Sequence, residues 1–251
     1  MQALLTVAYD GTRYAGWQRQ TNGLAVQQVI EDALAKLMGR AVVLRAASRT
    51  DAGVHALGQR AAFGADGLKV PLEKLPEVLN GLLPPDISVT AAEEAQDGFV
   101  PRFRAREKTY RYQIQNAPYP NPLIGRYSAW VRQSLDVDAM GEAAAHCIGR
   151  HDFKAFCAAS RDVFEKSTVR EVFSCGVEVR EERAGSRLIA VTVTGGGFLY
   201  NMVRILAGTL VYAGLGKIPP PSVPEIIASK DRTRAGKTMP PNGLTLVEVV
   251  F

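Results

Sequence analysis

Residues 48–56 read Ser-Arg-Thr-Asp-Ala-Gly-Val-His-Ala. An apolar run from Val42 to Leu44 precedes this stretch, and a second strand-like run, residues 59–63, follows it. The pattern predicts two strands joined by a loop that carries Asp51. A carboxylate in such a loop stands on a rigid frame and remains accessible to a substrate.

Asp51 is the only carboxylate between residues 42 and 64, and Arg49 and Arg60 flank it in sequence. A nearby cation keeps an aspartate ionised at neutral pH. An ionised carboxylate that is held in place can act as a nucleophile, a general base or a metal ligand. Asp-Ala-Gly is also ordinary turn chemistry, in which the Asp side chain bonds its own backbone. Composition alone leaves both interpretations open.

Outward from this loop, the first half of the chain predicts a regular order of elements. The predicted strands cover residues 3–9, 41–47, 59–65 and 87–92, and the predicted helices cover 24–38 and 72–83. The order β-α-β-β-α-β is the split βαβ arrangement, which makes a complete small domain.

The second half also alternates between strands and helices. Helices are predicted from about 136 to 148, from 198 to 212 and from 222 to 229, and strands over 168–181, 186–194 and 244–250. The turn between the first two of these strands is predicted at residues 183–186, and residues 117–133 are predicted to be irregular. We therefore expect an α+β protein of two related, ferredoxin-like α/β sandwich domains with mainly antiparallel sheets, over residues 1–105 and 106–251.

The composition is that of an ordinary globular protein, with 47% hydrophobic and 22% charged residues among 251. Cys147, Cys157 and Cys175 show no CxxC spacing and the histidines form no HxxxH pair, so we expect neither a disulfide framework nor a metal site. With no signal-like N-terminus and no membrane-length apolar run, we expect a cytoplasmic protein without a membrane segment. The net charge of +5 is compatible with a polyanionic partner.

Two stretches combine cations with aromatic rings. Residues 12–20 read Thr-Arg-Tyr-Ala-Gly-Trp-Gln-Arg-Gln, and residues 101–112 read Pro-Arg-Phe-Arg-Ala-Arg-Glu-Lys-Thr-Tyr-Arg-Tyr. Arginine suits phosphate and aromatic rings suit base faces, which favours RNA as a partner. The candidate RNA contacts are Arg13, Trp17, Arg19, Arg104, Arg106 and Lys108.

Each of these stretches has a structural alternative. The first is compatible with a loop held in place by one buried tryptophan. The second, as an extended chain, would place its even-numbered cations on one face, ending in Tyr110 and Tyr112. A solvated edge strand also carries many charges, although it does not require aromatic rings.

A third stretch begins with Gly195-Gly196-Gly197 and continues as Phe-Leu-Tyr-Asn-Met-Val-Arg. A glycine run before a helix can cradle phosphate, but no Gly-Lys-Ser/Thr is present, which excludes a P-loop. The following helix is apolar on nearly all sides and is predicted to be buried. Arg204 lies in its middle, and a buried cation is costly unless it is paired, so Arg204 requires a carboxylate from a distant part of the chain.

Together these stretches resemble the TruA-type tRNA pseudouridine synthases. The resemblance covers almost the whole chain, because its blocks run in order from near the start to near the end. The blocks are Tyr-Asp-Gly-Thr at 9–12, Gly-Trp-Gln at 16–18, Ser-Arg-Thr-Asp-Ala-Gly-Val-His at 48–55, Lys-Thr-Tyr-Arg-Tyr at 108–112, Gly-Phe-Leu-Tyr-Asn-Met-Val-Arg at 197–204 and Pro-Pro-Asn-Gly-Leu at 240–244.

The resemblance implies isomerisation of uridine to pseudouridine at positions 38, 39 and 40 in the anticodon arm of tRNA. It implies a homodimer that uses no metal or organic cofactor, with the active site in the cleft between the two domains. Matched block by block, Asp51 is the catalytic aspartate and Tyr110 stacks on the target uracil. Arg204 pairs with the aspartate, and Arg49 helps to hold the base out of its stack.

Two other classes of function fit part of the pattern. A non-catalytic RNA-binding module accounts for the basic and aromatic stretches, but it leaves Asp51 and the buried Arg204 unexplained. A hydrolase with paired carboxylates, such as a glycosidase, lacks a second acid beside Asp51. Release of tritium from C5 of uracil in labelled tRNA separates a synthase from both.

Overall fold

The structure, a computed structural model, describes residues 1–159, 167–182 and 185–251. The strands are, in chain order, β1 (Gln2–Tyr9), β2 (Arg45–Ala46), β3 (His55–Gly64), β4 (Ile87–Ala95), β5 (Glu107–Asn116), β6 (Ala129–Val131), β7 (Gly149–Asp152), β8 (Val169–Glu181), β9 (Arg187–Gly195) and β10 (Leu244–Val250). The helices are α1 (Val26–Met38), α2 (Leu75–Asn80), α3 (Pro101–Arg104), α4 (Val137–Ala145), α5 (Met202–Gly214) and α6 (Val223–Ser229). This mixture confirms the predicted α+β class.

The chain divides into two compact units. The first unit comprises Met1–Arg106 and Thr245–Phe251, and the second comprises Glu107–Leu244. Most of the closing strand β10 thus belongs with the first unit. The domain bounds 1–105 and 106–251, and the relation between the two domains, stay predictions.

The first unit contains the predicted split βαβ arrangement. Strand β1 lies between β3 and β4 and pairs with both in antiparallel orientation. Strand β2 also pairs with β3 in antiparallel orientation, and β10 pairs with β3 in parallel. Helix α1 buries Ile30 and Leu34 at helical spacing and ends where Gly39 adopts a φ of +66°, which glycine takes at little cost.

The predicted strand over 41–47 is reduced to the two residues of β2. Side chains of α1 account for the difference, because they bond the backbone that a strand ladder would use. The Glu31 carboxylate accepts the N–H of Leu44 at 2.9 Å, and the Gln27 amide donates to the Leu44 carbonyl at 3.0 Å. The strand predicted over 59–65 begins earlier, at His55, so the Asp51 loop is shorter than expected.

The single row of cations predicted along an extended segment before Tyr110 is wrong. Pro101 begins the short helix α3, in keeping with the preference of proline for the first helical turn. Arg102 and Arg104 therefore follow helical spacing, and only the residues from Glu107 onward lie on the strand β5.

The second unit is built on β5, which pairs with β9 in antiparallel orientation and with the short β6 in parallel. Beyond β9 follow β8 and then β7, both antiparallel. Helix α5 is buried over most of its length, as predicted, but it begins at Met202, so Arg204 lies in its first turn and not in its middle. Two residues of the predicted turn 183–186, Arg183 and Ala184, lie outside the described residues.

Among the described helices, none combines the length and the apolar character that crossing a membrane requires.

Candidate active site

Asp51 lies in the loop between β2 and β3, and its side chain is half-buried. The loop contains a backbone turn, because the Asp51 carbonyl accepts the N–H of Val54 at 3.1 Å and Gly53 has a φ of +77°. The alternative drawn from the sequence was a turn closed by the Asp51 side chain, and that alternative stays a prediction, as does the catalytic role of the carboxylate.

The last residue of β1 and the segment that follows it hold the Asp51 loop in place. The Thr50 carbonyl accepts the N–H of Trp17 at 3.0 Å. The Thr50 hydroxyl lies 2.7 Å from the Tyr9 hydroxyl in a buried hydrogen bond. The carbonyl and the side-chain hydroxyl of the residue before Asp51 are thus both hydrogen-bonded, so the carboxylate projects from a defined backbone position.

Two glycines permit this close approach. A Cβ on Gly11 would lie 2.0 Å from the carbonyl oxygen of Val54, and a Cβ on Gly16 would lie 2.6 Å from that of Thr50. Gly16 also has a φ of +95°, which side chains rarely tolerate. The glycines of the Tyr-Asp-Gly-Thr and Gly-Trp-Gln blocks therefore allow the backbone to contact the Asp51 loop directly.

Trp17 is a packing residue in this structure. Its side chain is 2% exposed, and its ring lies 5.8 Å from that of Tyr9 between centroids. Stacking of an RNA base on this ring would require the packing around it to open, so an RNA contact by Trp17 stays a prediction. This burial matches the structural alternative of a loop held by one tryptophan.

Arg13 and Arg19, the predicted RNA contacts of the same segment, already have carboxylate partners. Arg13 donates to Asp86 from Nε at 2.9 Å and from Nη2 at 2.6 Å. Arg19 donates to Asp32 at 3.1 Å and lies 3.5 Å from Glu31. Both arginines are exposed, so a phosphate would have to compete with these partners, and their role in RNA binding stays a prediction.

In the second unit, Tyr110 lies on β5 opposite Val193 of β9 and is 6% exposed. Its ring meets that of Phe198 edge to face, with centroids 5.3 Å apart and an interplanar angle of 87°. Such an aromatic pair contributes about 0.5–1.5 kcal/mol beyond simple burial. Two of the blocks that carry the resemblance are therefore in contact.

The guanidinium of Arg204 is fixed by two hydrogen bonds at the start of α5. Nε donates to the carbonyl of Met239 at 2.7 Å, and Nη1 donates to the side-chain oxygen of Asn201 at 2.7 Å. Asn201 has a left-handed backbone with a φ of +59°. The next carbonyl, that of Pro240, accepts a hydrogen bond from the Tyr112 hydroxyl at 2.7 Å. The segment of residues 239–240 is therefore bonded both to Arg204 of α5 and to Tyr112 of β5.

Electrostatics link Arg204 to β5 as well. Burial raises the pKa of Tyr112, while the positive charge of Arg204 acts in the opposite direction. The phenol is therefore neutral at physiological pH. Asp51 belongs to the first unit and Arg204 to the second, and the ion pair between them stays a prediction.

The remaining predicted contacts are distributed over both units. Arg49, Arg104 and Arg106 are exposed residues of the first unit, and Lys108 is a half-buried residue of β5. The backbone N–H of Arg106 donates to the Val250 carbonyl at 2.8 Å, which fixes the chain just before β5. These cations stay predicted contacts to the target base or to phosphate.

Sequence reasoning proposed Asp51, Tyr110 and Arg204 as site residues, but it did not name the groups that contact them or their loop in the structure. Tyr9, Thr50, Phe198 and Asn201 all lie inside the blocks quoted above. Their position in those blocks was the only sign in the sequence that they contribute to the candidate site. The left-handed backbone of Asn201 follows from contacts that residue type alone does not specify.

Metal-ligand clusters and cysteine thiols are the other groups that could support catalysis. In residues 1–159, 167–182 and 185–251, no three or more His, Cys, Asp or Glu side chains are grouped as metal ligands. Burial raises the pKa of the Cys175 thiol to about 12 and also raises that of Cys147, so neither is a thiolate at neutral pH. A carboxylate, a guanidinium and phenols remain, which are groups suited to nucleophilic attack and proton transfer.

Known proteins resemble the chain over nearly its full length. A family model described as tRNA pseudouridine synthase matches residues 5–103 and 143–251. A tRNA pseudouridine synthase A from Caldicellulosiruptor bescii is 47% identical over 248 residues, which cover 99% of this chain and 98% of the relative. Another, from Ruminiclostridium cellulolyticum, is 47% identical over 247 residues and covers 98% of each chain.

Among solved structures, a chain from the crystal structure of a Cbf5-Nop10-Gar1 complex aligns with a TM-score of 0.35 and 12% identity. The alignment covers 97% of this chain and 48% of that one. The assignment therefore rests on the family model and the sequence relatives, and by both the chain belongs to the tRNA pseudouridine synthases.

Proposed function

We propose that this tRNA pseudouridine synthase isomerises uridine at positions 38, 39 and 40 in the anticodon arm, with Asp51 as the catalytic group. Family membership supports the reaction and the class of substrate. One observation carries the assignment to Asp51: its loop is fixed by buried contacts from the last residue of β1 and the segment after it, while its carboxylate remains half-buried. A fixed and reachable acid is what covalent or general-base chemistry requires.

The reaction breaks the bond from N1 of uracil to C1′ of the ribose, turns the ring and joins C5 to C1′. C5 loses a proton and N1 gains one, so substrate and product are isomers and no electrons are exchanged. An ionised Asp51 can add to the uracil ring, attack C1′ or remove a ribose proton to start an elimination. All three routes use the same carboxylate.

The other residues support this group. Tyr110 offers a ring face to the displaced uracil and a hydroxyl that relays a proton. Arg204 pairs with Asp51, and its positive charge favours the ionised form of that carboxylate. The bonds from Arg204 to Met239 and Asn201 support this role, because they fix the plane of the guanidinium. Arg49 holds the base out of the stack.

RNA binding must compensate for the displaced base. Unstacking the uridine costs roughly a few kcal/mol, and stacking on an aromatic ring returns about 1–3 kcal/mol. Phosphate contacts contribute the remainder. The proposed contacts are Arg13, Arg19, Arg104, Arg106 and Lys108.

We further propose that the enzyme works as a homodimer in the cytoplasm, where it meets its tRNA substrate. Sedimentation velocity would test the dimer, which has twice the 27.2 kDa mass of one chain. A single species with the mass of one chain at assay concentration would contradict it.

Site mapping tests the proposed substrate position. Unmodified tRNA transcripts are incubated with the purified chain, and pseudouridine is located by chemical labelling and primer extension. Transcripts with uridine at 38, 39 or 40 should gain pseudouridine there and at no other position. Modification only outside the anticodon arm would contradict the assignment.

A further inference from the structure

A cavity of about 580 Å³ opens in the second unit between the end of α4, β7 and α6. Its apolar lining includes Ile148, which is 43% exposed, and Ile227, which is buried. Its polar lining consists of His146, Arg150, His151, Asp152 and Lys230. No step of the proposed isomerisation uses these residues, so the cavity, called the α4–α6 groove below, requires its own explanation.

Two unusual backbone conformations shape the α4–α6 groove. Gly149 has a φ of +112°, and a Cβ there would lie 3.1 Å from Nε2 of His151, which donates to the Ile148 carbonyl at 2.9 Å. Lys230 has a φ of +56°. In the part of the chain that the structure describes, Lys230 and Asn201 are the only non-glycine residues with positive φ.

Such left-handed residues cost free energy and persist where the surrounding structure imposes them, often at functional sites. Asn201 fits this pattern, because its amide holds Arg204 in the candidate active site. Lys230 is the C-terminal cap of α6, whereas Asn201 precedes the first turn of α5, and the Lys230 ammonium group lies beside β7.

The groove carries a surplus of positive charge. Lys230 lies 2.8 Å from Asp152, whose carboxylate also accepts the N–H of Lys154 at 3.2 Å and a hydrogen bond from the Thr168 hydroxyl. The Asp152 carboxylate is thus already bonded, and its negative charge offsets one of the two positive charges of Lys230 and Arg150. Arg150 is exposed and lies opposite Glu171 in the antiparallel β7–β8 pair, and within the described residues it forms no salt bridge.

The sheet connects the groove with the predicted RNA contacts. Lys108 of β5 pairs with Gly195, which pairs with Val172, which pairs with Gly149. This row crosses three strand spacings, so Lys108 and Gly149 lie roughly 14 Å apart. Arg150 directly follows Gly149. One nucleotide at Tyr110 is too short to span this separation, so an occupant of the groove would be a different nucleotide.

We propose that the α4–α6 groove binds a phosphate-bearing nucleotide of the tRNA, away from the target uridine. Its phosphate contacts Arg150 and His146, and its sugar or base packs on Ile148 and Ile227. Arginine suits this role because its planar fork bonds two phosphate oxygens at once. The inference rests on the proposed function for the identity of the RNA. A free mononucleotide offers the same chemistry, and the test separates the two sources.

Arg150→Ala tests the proposal, with Arg180→Ala as the matched control. Arg180 carries the same charge on the same sheet, but its Nε already donates to Glu182 at 2.8 Å. We expect Arg150→Ala to weaken tRNA binding about five- to tenfold for all tRNA sequences and to reduce the slope of log affinity against log salt by about one. KM for pseudouridine formation should rise while kcat stays unchanged, and Arg180→Ala should match the wild type.

Calorimetric titration with AMP identifies the source of the phosphate. If AMP binds the wild type but not Arg150→Ala, while tRNA affinity is unchanged, the ligand is a free nucleotide and the RNA assignment is overturned. If neither tRNA nor AMP binding responds, the groove is not a phosphate site. A fall in tRNA affinity in a protein that forms no pseudouridine would support the groove and contradict the proposed function.

Discussion

Thr50 is bonded through its hydroxyl to Tyr9 and through its carbonyl to Trp17, so the next residue, Asp51, projects from a fixed backbone. The sequence predicted the acid because it is the only carboxylate in its loop. It did not predict the bonds around it, because they join residues more than thirty positions apart. The sequence offered a buried Trp17 as one of two alternatives, and the choice between them depends on packing that its sequence neighbours do not reveal.

The ring and the hydroxyl of Tyr110 can be separated by substitution. Tyr110→Phe keeps the ring and its contact with Phe198, whereas Tyr110→Ala removes both. Because stacking contributes about 1–3 kcal/mol per base, Tyr110→Ala should lower kcat/KM roughly ten- to a hundredfold, and Tyr110→Phe should lower it much less. Steady-state rates on a tRNA transcript give the comparison. Equal losses in the two variants would assign the main role to the hydroxyl.

At the scale of elements, the sequence predicted those helices and strands that have a regular apolar spacing and a residue that marks their end. Helix α1 follows its apolar spacing and ends at Gly39. Residues 41–44 failed as a strand because α1 side chains bond their backbone, and α3 was missed because the stretch that begins at Pro101 was interpreted as an extended chain. Both errors arise where a contact between elements, or a single proline, outweighs strand propensity.

The contact between Gly11 and the Asp51 loop should be sensitive to one methyl group. Gly11→Ala places a Cβ 2.0 Å from the Val54 carbonyl oxygen, so the loop has to move, at a cost of about 1–3 kcal/mol in the free energy of unfolding. We expect turnover to fall at least tenfold, by analogy with other displaced catalytic groups. Urea unfolding and tritium release measure the two effects.

Gly141→Ala is the control for Gly11→Ala. Gly141 lies within α4 with nothing within 4 Å of the added methyl, so alanine should raise the free energy of unfolding by about 0.5–1 kcal/mol. Its activity should equal that of the wild type. Similar behaviour of the two variants would show that the approach of Gly11 to Val54 has no role.

The ion pair between Asp152 of β7 and Lys230 at the end of α6 should contribute to stability in a way that depends on pH. The hydrogen bonds from Lys230 and then from Thr168 lower the pKa of Asp152 below its usual value of 3.8. A carboxylate with a depressed folded pKa stabilises above its unfolded pKa and loses this effect as pH falls through the folded pKa. The wild type should therefore exceed Asp152→Asn in stability at pH 7, and the difference should shrink below about pH 4. A constant difference between pH 7 and pH 3 in denaturant unfolding would contradict this.

At the scale of the whole molecule, the net charge of +5 and the basic residues around β5 predict an electrostatic contribution to tRNA binding. Each phosphate contact releases counterions, so log affinity should fall linearly with log salt, with a slope of about −0.7 to −0.9 per contact. Filter binding of tRNA between low and physiological salt measures this slope. A flat response would remove phosphate contacts from the proposed binding mode.

Release of tritium from C5 of uracil in labelled tRNA tests the central claim most directly, when wild type and Asp51→Ala are compared at equal tRNA occupancy. The wild type should release one equivalent per modified uridine. Asp51→Ala should release none while its tRNA affinity stays close to that of the wild type. Pseudouridine formed by Asp51→Ala, or no release by a folded wild type that binds tRNA, would contradict a catalytic carboxylate at position 51.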